Sequence, residues 1–231
     1  MTPISANWQA VRARIANAAR AAGRPAQSVA LLAVSKTFGA AQVRECYSTG
    51  QRAFGENYVQ EALDKIAALA DSPDNDEIEW HMIGPIQSNK TRAIAEHFQW
   101  VHSVERDKIA QRLNESRPAY LPPLNICIQV NVSGEASKSG LDPGAEVALA
   151  ALIANLPRLR LRGLMSIPEP TPDTALQRQR FARLRHLQEN LIACGHTLDT
   201  LSMGMSDDLE AAIAEGATMV RVGTAIFGRR T

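Results

Sequence analysis

Lys36 closes an apolar run in the stretch LLAVSKTFG, Leu31 to Gly39. A primary amine at the end of a buried strand is either a side chain snorkelling to the rim or a nucleophile. Partial burial disfavours the ammonium form, and a neutral amine attacks an aldehyde to give a Schiff base. Two other stretches suit the same chemistry. In LSMGMSDDLEAAIAEG a strand ends at Ser202, Gly204 loosens the turn, and the pattern predicts a helix capped by Ser206. Asp207, Asp208 and Glu210 would lie in its first turn, where acids suit the helix dipole. Capping alone explains those residues. A hydroxyl beside the N–H groups of a helix start also makes a phosphate site. In MVRVGTAIFG, alternation puts Met219, Arg221 and Gly223 on one face and Val220 and Val222 on the other. A buried guanidinium needs an acid or a ligand as partner. Gly223 lets a ligand approach the backbone, and Thr224 adds a hydroxyl. An amine facing a phosphate cradle implies a phosphorylated carbonyl compound. Pyridoxal 5′-phosphate (PLP) fits, with its aldehyde on Lys36, its phosphate on Ser206, Gly223 and Thr224, and Arg221 toward the pyridine nitrogen. A cationic partner keeps that nitrogen unprotonated and makes the ring a weaker electron sink than a carboxylate partner would.

These residues need a scaffold that gathers strand ends. Strand-like runs occur at Val29–Ser35, Arg52–Gly55, Glu79–Ile83, Trp100–Val104, Asn125–Val132, Leu161–Ile167, Thr197–Ser202 and Thr218–Gly223. Helical periodicity separates them, near 40–49, 57–70, 88–97, 105–116, 142–155, 173–194 and 207–215. Each strand but the last is thus followed by a helix. Regular β-α alternation predicts a parallel sheet covered by helices. Eight units suit a closed (β/α)8 TIM barrel, with an open doubly wound sheet as the alternative. No GxGxxG follows the first strand to favour a dinucleotide fold. An extra amphipathic helix precedes the barrel, with Ser5 as its N-cap and Gly23 as its stop. The Pro-rich stretches RPAYLPP and IPEPTPD read as connections, so residues 1–231 read as one domain. In a barrel the chemistry sits at the C-terminal ends of the strands. Those ends here are Lys36, Glu56 and Asn57, Gly84 to Gln87, Ser103, Asn131, Ser166, the SMGMS turn, and Gly223 with Thr224.

Composition limits the function classes. The 231 residues are 45% hydrophobic and 21% charged, which argues against disorder, and the net charge of +1 leaves no electrostatic footprint for nucleic acid or an anionic membrane. Trp8, Trp80 and Trp100 are too dispersed for a nucleic-acid stacking platform. No apolar run reaches a membrane span. Cys46, Cys127 and Cys194 are scattered without metal-ligand spacing, which suits a reducing cytosol, and no metal is expected. Nothing in the pattern calls for an oligomer, so a monomer is expected. His81, inside a strand pattern, reads as a core histidine rather than a base.

The chain resembles the pyridoxal phosphate homeostasis protein family. The resemblance rests on LLAVSKT, FGENYVQEALDK, EWHMIGPIQSNK, VHSVERDKIAQRLN, VNVSGEASKSG, LRGLMSIP and LSMGMSDDLEAAIAEGATMVRVGTAIFG, which follow in order along nearly the whole chain. It implies a single-domain barrel akin to the barrel half of bacterial alanine racemase, of PLP fold type III. It further implies PLP as a Schiff base on Lys36 and a role in cellular PLP (vitamin B6) homeostasis with no established catalytic reaction. PLP-accepting apoenzymes are the partners such a role requires. By the same carry-over Asn57, Ser166 and Met203 line the cofactor pocket, Ser206, Gly223 and Thr224 hold the phosphate, and Arg221 faces the pyridine nitrogen. The chain departs from the family at one place. Many members have a second lysine and a proline where this chain has Phe38 and Gly39, so a handover through that second amine is not built here. Lys138, in SKSG, is another amine in a loop.

Two other functions use parts of the same pattern. A PLP-dependent amino-acid racemase needs a second base, which the two-domain racemases take from a tyrosine of the other domain. The tyrosines here are Tyr47, Tyr58 and Tyr120. A cofactor-free Schiff-base aldolase needs an acid beside the lysine, and none is adjacent in sequence.

Overall fold

The computed structural model describes residues 3–70, 77–134 and 139–228. Lys138 lies outside them. Eight parallel strands close into a barrel in chain order. They are β1 (Ala30–Val34), β2 (Ala53–Glu56), β3 (Glu79–Met82), β4 (Trp100–Val104), β5 (Leu124–Gln129), β6 (Leu159–Met165), β7 (Thr200–Ser202) and β8 (Met219–Val222). The ring shuts where β8 pairs with β1, Ala30 opposite Met219 through Ala33 opposite Val222. The strands read as nearly continuous apolar runs because a parallel sheet wrapped in helices is buried on both faces. All five residues of β4 are buried.

The helices are α1 (Pro3–Ala21), α2 (Ala40–Tyr47), α3 (Val59–Leu69), α4 (Thr91–His97), α5 (Asp107–Ser116), α6 (Glu146–Ala154), α7 (Thr174–Ala193), α8 (Leu209–Ala214) and α9 (Thr224–Phe227). Helices α3, α6, α7 and α8 pack on the barrel's strands, whereas α1 lies over α2, α8 and α9, toward which Ile4, Val11, Ile15 and Ala19 form its buried stripe. Phe54, Phe98 and Phe181 are fully buried in the core between strands and helices, and burying each contributes roughly 1.5–3 kcal/mol. Inside the ring the packing is separate and smaller. Leu32, Val34, Ile83 and Met219 form one interior cluster, and Trp100, Cys127 and Met165 form another. The expected parity of β8 holds, since Val220 and Val222 belong to the outer core while Met219 belongs to the interior.

Several element ends differ from the sequence expectation. The first helix starts at Pro3, so Ser5 lies within it and is not its N-cap. Gly23, at φ +70°, does stop it, and the N–H of Arg24 reaches back to the Ala19 carbonyl. β7 begins at Thr200, because its pairing with β6 covers only Gly163 to Met165. α8 begins at Leu209, so Ser206 sits in the turn ahead of the helix rather than at its cap. A short helix, α9, does follow the last strand. Gly204, at φ +93°, needs to be glycine: a Cβ there would lie 2.6 Å from the Ala212 Cβ.

Candidate functional site

The C-terminal ends of β1, β2, β3, β6, β7 and β8 surround a cavity of about 240 Å³. Its lining includes six of the residues expected from the sequence: Lys36, Asn57, Ser206, Arg221, Gly223 and Thr224. Val34, Phe38, Ile83, Ile167, Met205, Asp207 and Gly228 complete it. Ser166 and Met203 are fully buried and are not among the lining residues. Met203 packs in the core between barrel and helices. Ser166 bonds the site indirectly, its carbonyl accepting from Arg221 Nη2 at 2.8 Å. A second cavity of about 220 Å³ adjoins the first and shares Asn57, Ile83 and Ile167 with it.

Lys36 lies in a tight turn beyond β1, closed by the Phe38 N–H donating to the Ser35 carbonyl at 3.1 Å. Phe38 stacks on Phe227 of α9 with ring centroids 5.1 Å apart. Phe38 therefore ties the Lys36 turn to the loop carrying Gly223 and Thr224. That opposite loop is also held from behind. Arg14 of α1 donates to the Ser206 carbonyl at 2.7 Å and pairs with Glu210, and Asn7 donates to the Ile226 carbonyl at 3.0 Å. Two of the three acids of the SDDLE segment are turned to protein partners. Glu210 meets Arg14, and Asp208 accepts the Met205 N–H at 2.6 Å. Asp207 remains at the rim. Ser206, Gly223 and Thr224 bring a hydroxyl, an uncovered backbone stretch and the start of α9 to one wall, the features that suit a phosphate.

Arg221 sits in the barrel interior, 3% exposed. Its hydrogen-bond partners are neutral: Nη1 donates to Ser202 Oγ and Nη2 to the Ser166 carbonyl, both at 2.8 Å. Burial lowers its pKa to about 10, against the pull of Asp208. Below it runs a buried polar chain that the sequence did not reveal. Ser202 Oγ lies 2.9 Å from His102 Nδ1, and His102 Nε2 lies 2.9 Å from His81 Nδ1. His81 Nε2 has no hydrogen-bond partner, and the nearest carboxylate, Glu79, is 3.8 Å away. Those contacts set the direction of the chain. With the N–H of His81 assigned to Nε2, facing Glu79, each imidazole donates from Nε2 toward that side, and the Ser202 hydroxyl, which accepts from Arg221, donates to His102 Nδ1. The reverse direction would set a lone pair of His81 against that carboxylate. His81 also stacks on Trp100, at 5.3 Å and 8°. It is thus a core histidine, as expected, but one joined to the site.

Both histidines are fully buried, and burial pushes both below the usual imidazole range. His102 is pushed furthest because His81 and Arg221 add to the effect. They stay neutral in the folded barrel, whereas the unfolded chain takes up protons near pH 6.5. Stability is therefore lost as pH falls from about 6.5 toward the depressed folded values, by about 1.4 kcal/mol per histidine for each pH unit. Urea unfolding between pH 7 and pH 5.5 should show this decline, with a shallower slope in His102→Gln. A slope of zero in the wild type would show that the pair is not held neutral.

The site fits a phosphorylated pyridine aldehyde. Asn57 Oδ1 and Ser166 Oγ are buried without a hydrogen-bond partner, and an amine, a guanidinium and a phosphate-type loop line one cavity. The described residues hold no cluster of three or more His, Cys, Asp or Glu suited to a metal.

Comparison with known proteins agrees with this geometry. A profile of the family described as the alanine racemase N-terminal domain matches residues 6–231. The pyridoxal phosphate homeostasis protein of Pseudomonas aeruginosa is 66% identical, over 100% of this chain and 97% of its own. That of Escherichia coli K12 is 51% identical, over 100% of this chain and 98% of its own. Among solved structures, PipY of Synechococcus elongatus PCC7942, with PLP bound, superposes with a TM-score of 0.85 at 38% identity, covering 97% of this chain and 100% of that one. The chain belongs to the alanine racemase N-terminal domain family and, within it, to the pyridoxal phosphate homeostasis proteins.

Proposed function

We propose that this protein binds PLP at the barrel mouth and serves its homeostasis as a holder and carrier of the cofactor, handing it to apoenzymes. The observation that carries the reading is the meeting of Lys36, Arg221 and the Ser206/Gly223/Thr224 loops around one cavity. Lys36 supplies the amine for a Schiff base, Ser206, Gly223 and Thr224 take the phosphate, and Asn57, whose Oδ1 has no hydrogen-bond partner, meets the ring's polar groups, while Ser166 acts from behind by holding Arg221 through its carbonyl. Arg221 faces the ring nitrogen. Met203 supports the turn between Ser202 and Gly204 from behind rather than by contact. When bound, PLP supplies an electrophilic aldehyde and an electron-accepting ring. A cationic floor weakens that acceptor, which suits holding more than turnover.

The arrangement of possible bases supports a carrier over a racemase. Tyr47 hydrogen-bonds Glu77 at 2.9 Å, Tyr120 is 85% exposed in the loop before β5, and Tyr58, 58% exposed, stands at the rim outside the lining. We further propose that residues 1–231 act as a single domain and a monomer in the cytoplasm. Among the described residues no disulfide forms, and no helix is long and apolar enough to cross a membrane.

Mixing the purified protein with PLP is expected to produce visible Schiff-base absorbance. Borohydride should bleach it and leave the reduced adduct on the peptide containing Lys36. Lys36→Ala should show neither signal. A wild-type protein that stays colourless and takes up no PLP overturns the reading, and sustained racemization well above that of free PLP overturns its carrier part.

A further inference from the structure

Lys36 is flanked by a residue whose backbone ought to resist its position. Thr37 has φ 69°, in the left-handed region that turns usually fill with glycine or asparagine and that a β-branched residue avoids. A conformation of this kind persists only where its surroundings over-determine it, and such residues gather at functional sites. The surroundings here are a compact ionic cluster behind the turn. Glu61 Oε1 accepts the Thr37 N–H at 2.5 Å. The same oxygen is held by Lys65 Nζ at 2.6 Å. Lys65 is buried and spends its other two donors on Glu56 Oε1, at 2.6 Å, and on the Ser35 carbonyl, at 2.7 Å. Ser35 Oγ in turn donates to Glu56 Oε1 at 2.6 Å. Both chain neighbours of Lys36 are therefore fixed to one cluster drawn from the ends of β1 and β2 and from α3. None of its three charged members lines the cofactor cavity.

We propose that Glu61, anchored by Lys65 and Glu56, is the positioning residue for Lys36: by holding the Thr37 N–H it keeps the turn left-handed and so keeps the Lys36 amine aimed into the cavity. The proposal rests on the reading of Lys36 as the PLP lysine. Glu61 touches neither cofactor nor amine; it acts through the backbone of Thr37. Its carboxylate is half-buried and faces an open hollow between the turn and α3, so it can be replaced without opening the core.

The test compares wild type, Glu61→Gln, Glu61→Ala and Glu61→Ala/Thr37→Gly. The first readout is the rate of borohydride-trappable Schiff base at Lys36 with PLP. The second is the affinity for pyridoxine 5′-phosphate, which has an alcohol in place of the aldehyde and forms no Schiff base. Glu61→Gln keeps an oxygen for the N–H and should stay close to wild type. Glu61→Ala should slow Schiff-base formation by about ten-fold or more, the factor expected from releasing a strained left-handed residue. Its affinity for pyridoxine 5′-phosphate should be unchanged. Adding Thr37→Gly should restore most of the rate, since glycine holds a positive φ without help. An unchanged rate in Glu61→Ala, an equal loss of pyridoxine 5′-phosphate binding, or no rescue by Thr37→Gly overturns the proposal. A wild type that forms no Schiff base at Lys36 overturns the underlying reading instead, and the proposal with it.

Discussion

With Arg221 exchanged for glutamate, the absorbance of the PLP complex and the pH at which it titrates are expected to move together. In the proposed complex the buried Arg221 cation faces the ring nitrogen, and a positive neighbour disfavours protonation there. A carboxylate in its place favours the protonated ring. The proton affinity should rise by about one pH unit or more, each unit corresponding to about 1.4 kcal/mol. The substitution also breaks the polar chain at its head. Glutamate has no donor for the Ser166 carbonyl, and Ser202 would turn its hydrogen toward the new acid and away from His102. Leaving such groups unpaired costs about 1–3 kcal/mol each, so the variant should also melt earlier. Arg221→Gln keeps a donor while dropping the charge. It should fall between the two in titration and lie closer to wild type in stability. Spectra and titrations that match wild type in both variants would mean that Arg221 does not face the ring nitrogen.

A second large effect is expected at Gly84, which follows β3 and lines the smaller cavity. A Cβ there would stand 2.3 Å from the Asn57 carbonyl oxygen and 2.7 Å from the Asn57 Cα. Both are backbone atoms, so no side-chain rotation relieves the clash. Gly84→Ala must push the β2 end away, and Asn57 lines both cavities. Overpacking of this kind costs about 1–3 kcal/mol or more. The expected outcome is a lower urea midpoint together with at least a several-fold loss of PLP affinity. Gly23→Ala makes the contrast. Gly23, unlike Gly84, has a positive φ, and a Cβ there meets nothing within 4 Å. It should lose about 1–2 kcal/mol from the left-handed conformation alone and keep its PLP affinity. Equal PLP binding in Gly84→Ala and wild type would show that the β2 and β3 ends do not shape the site.

Much of the fold follows from periodicity. Eight short apolar runs separated by helical patterns are enough for a closed parallel barrel, and the alternation of Met219, Val220, Arg221 and Val222 correctly put the guanidinium inside. The end of β1 delivered Lys36 to the cavity for the same reason: strand ends in a barrel converge. The polar chain from Arg221 to His81 was not legible, because it joins β8, β7, β4 and β3 across the hollow of the ring. Those neighbours depend on closure and register, and the β4–β5 and β5–β6 pairings both contain shifts. The Glu56–Lys65 pair was hidden for a related reason. A lysine on α3 reads as a solvated helix residue until α3 is laid over the β1 and β2 ends, where Lys65 becomes 4% exposed. Phe38 reads in the sequence only as the absence of a second amine, and its stacking on Phe227 could not be read from residues so far apart in sequence.

The pairing of β8 with β1 would give a cofactor held at the proposed site a second role. Lys36 belongs to the first strand's turn, and Arg221, Gly223 and Thr224 belong to the last strand and the loop after it, so a ligand that grips both sides spans the seam where the ring closes. Any ligand that binds only the closed ring stabilises that ring, by about 2.7 kcal/mol at one hundred times its dissociation constant. Closure between the most distant strands is also the contact with the greatest loop-entropy cost in folding. PLP occupancy and ring integrity are therefore two readings of one equilibrium. If PLP grips both sides as proposed, a barrel with its seam ajar would lose it, and PLP would favour the molecules whose ring has closed.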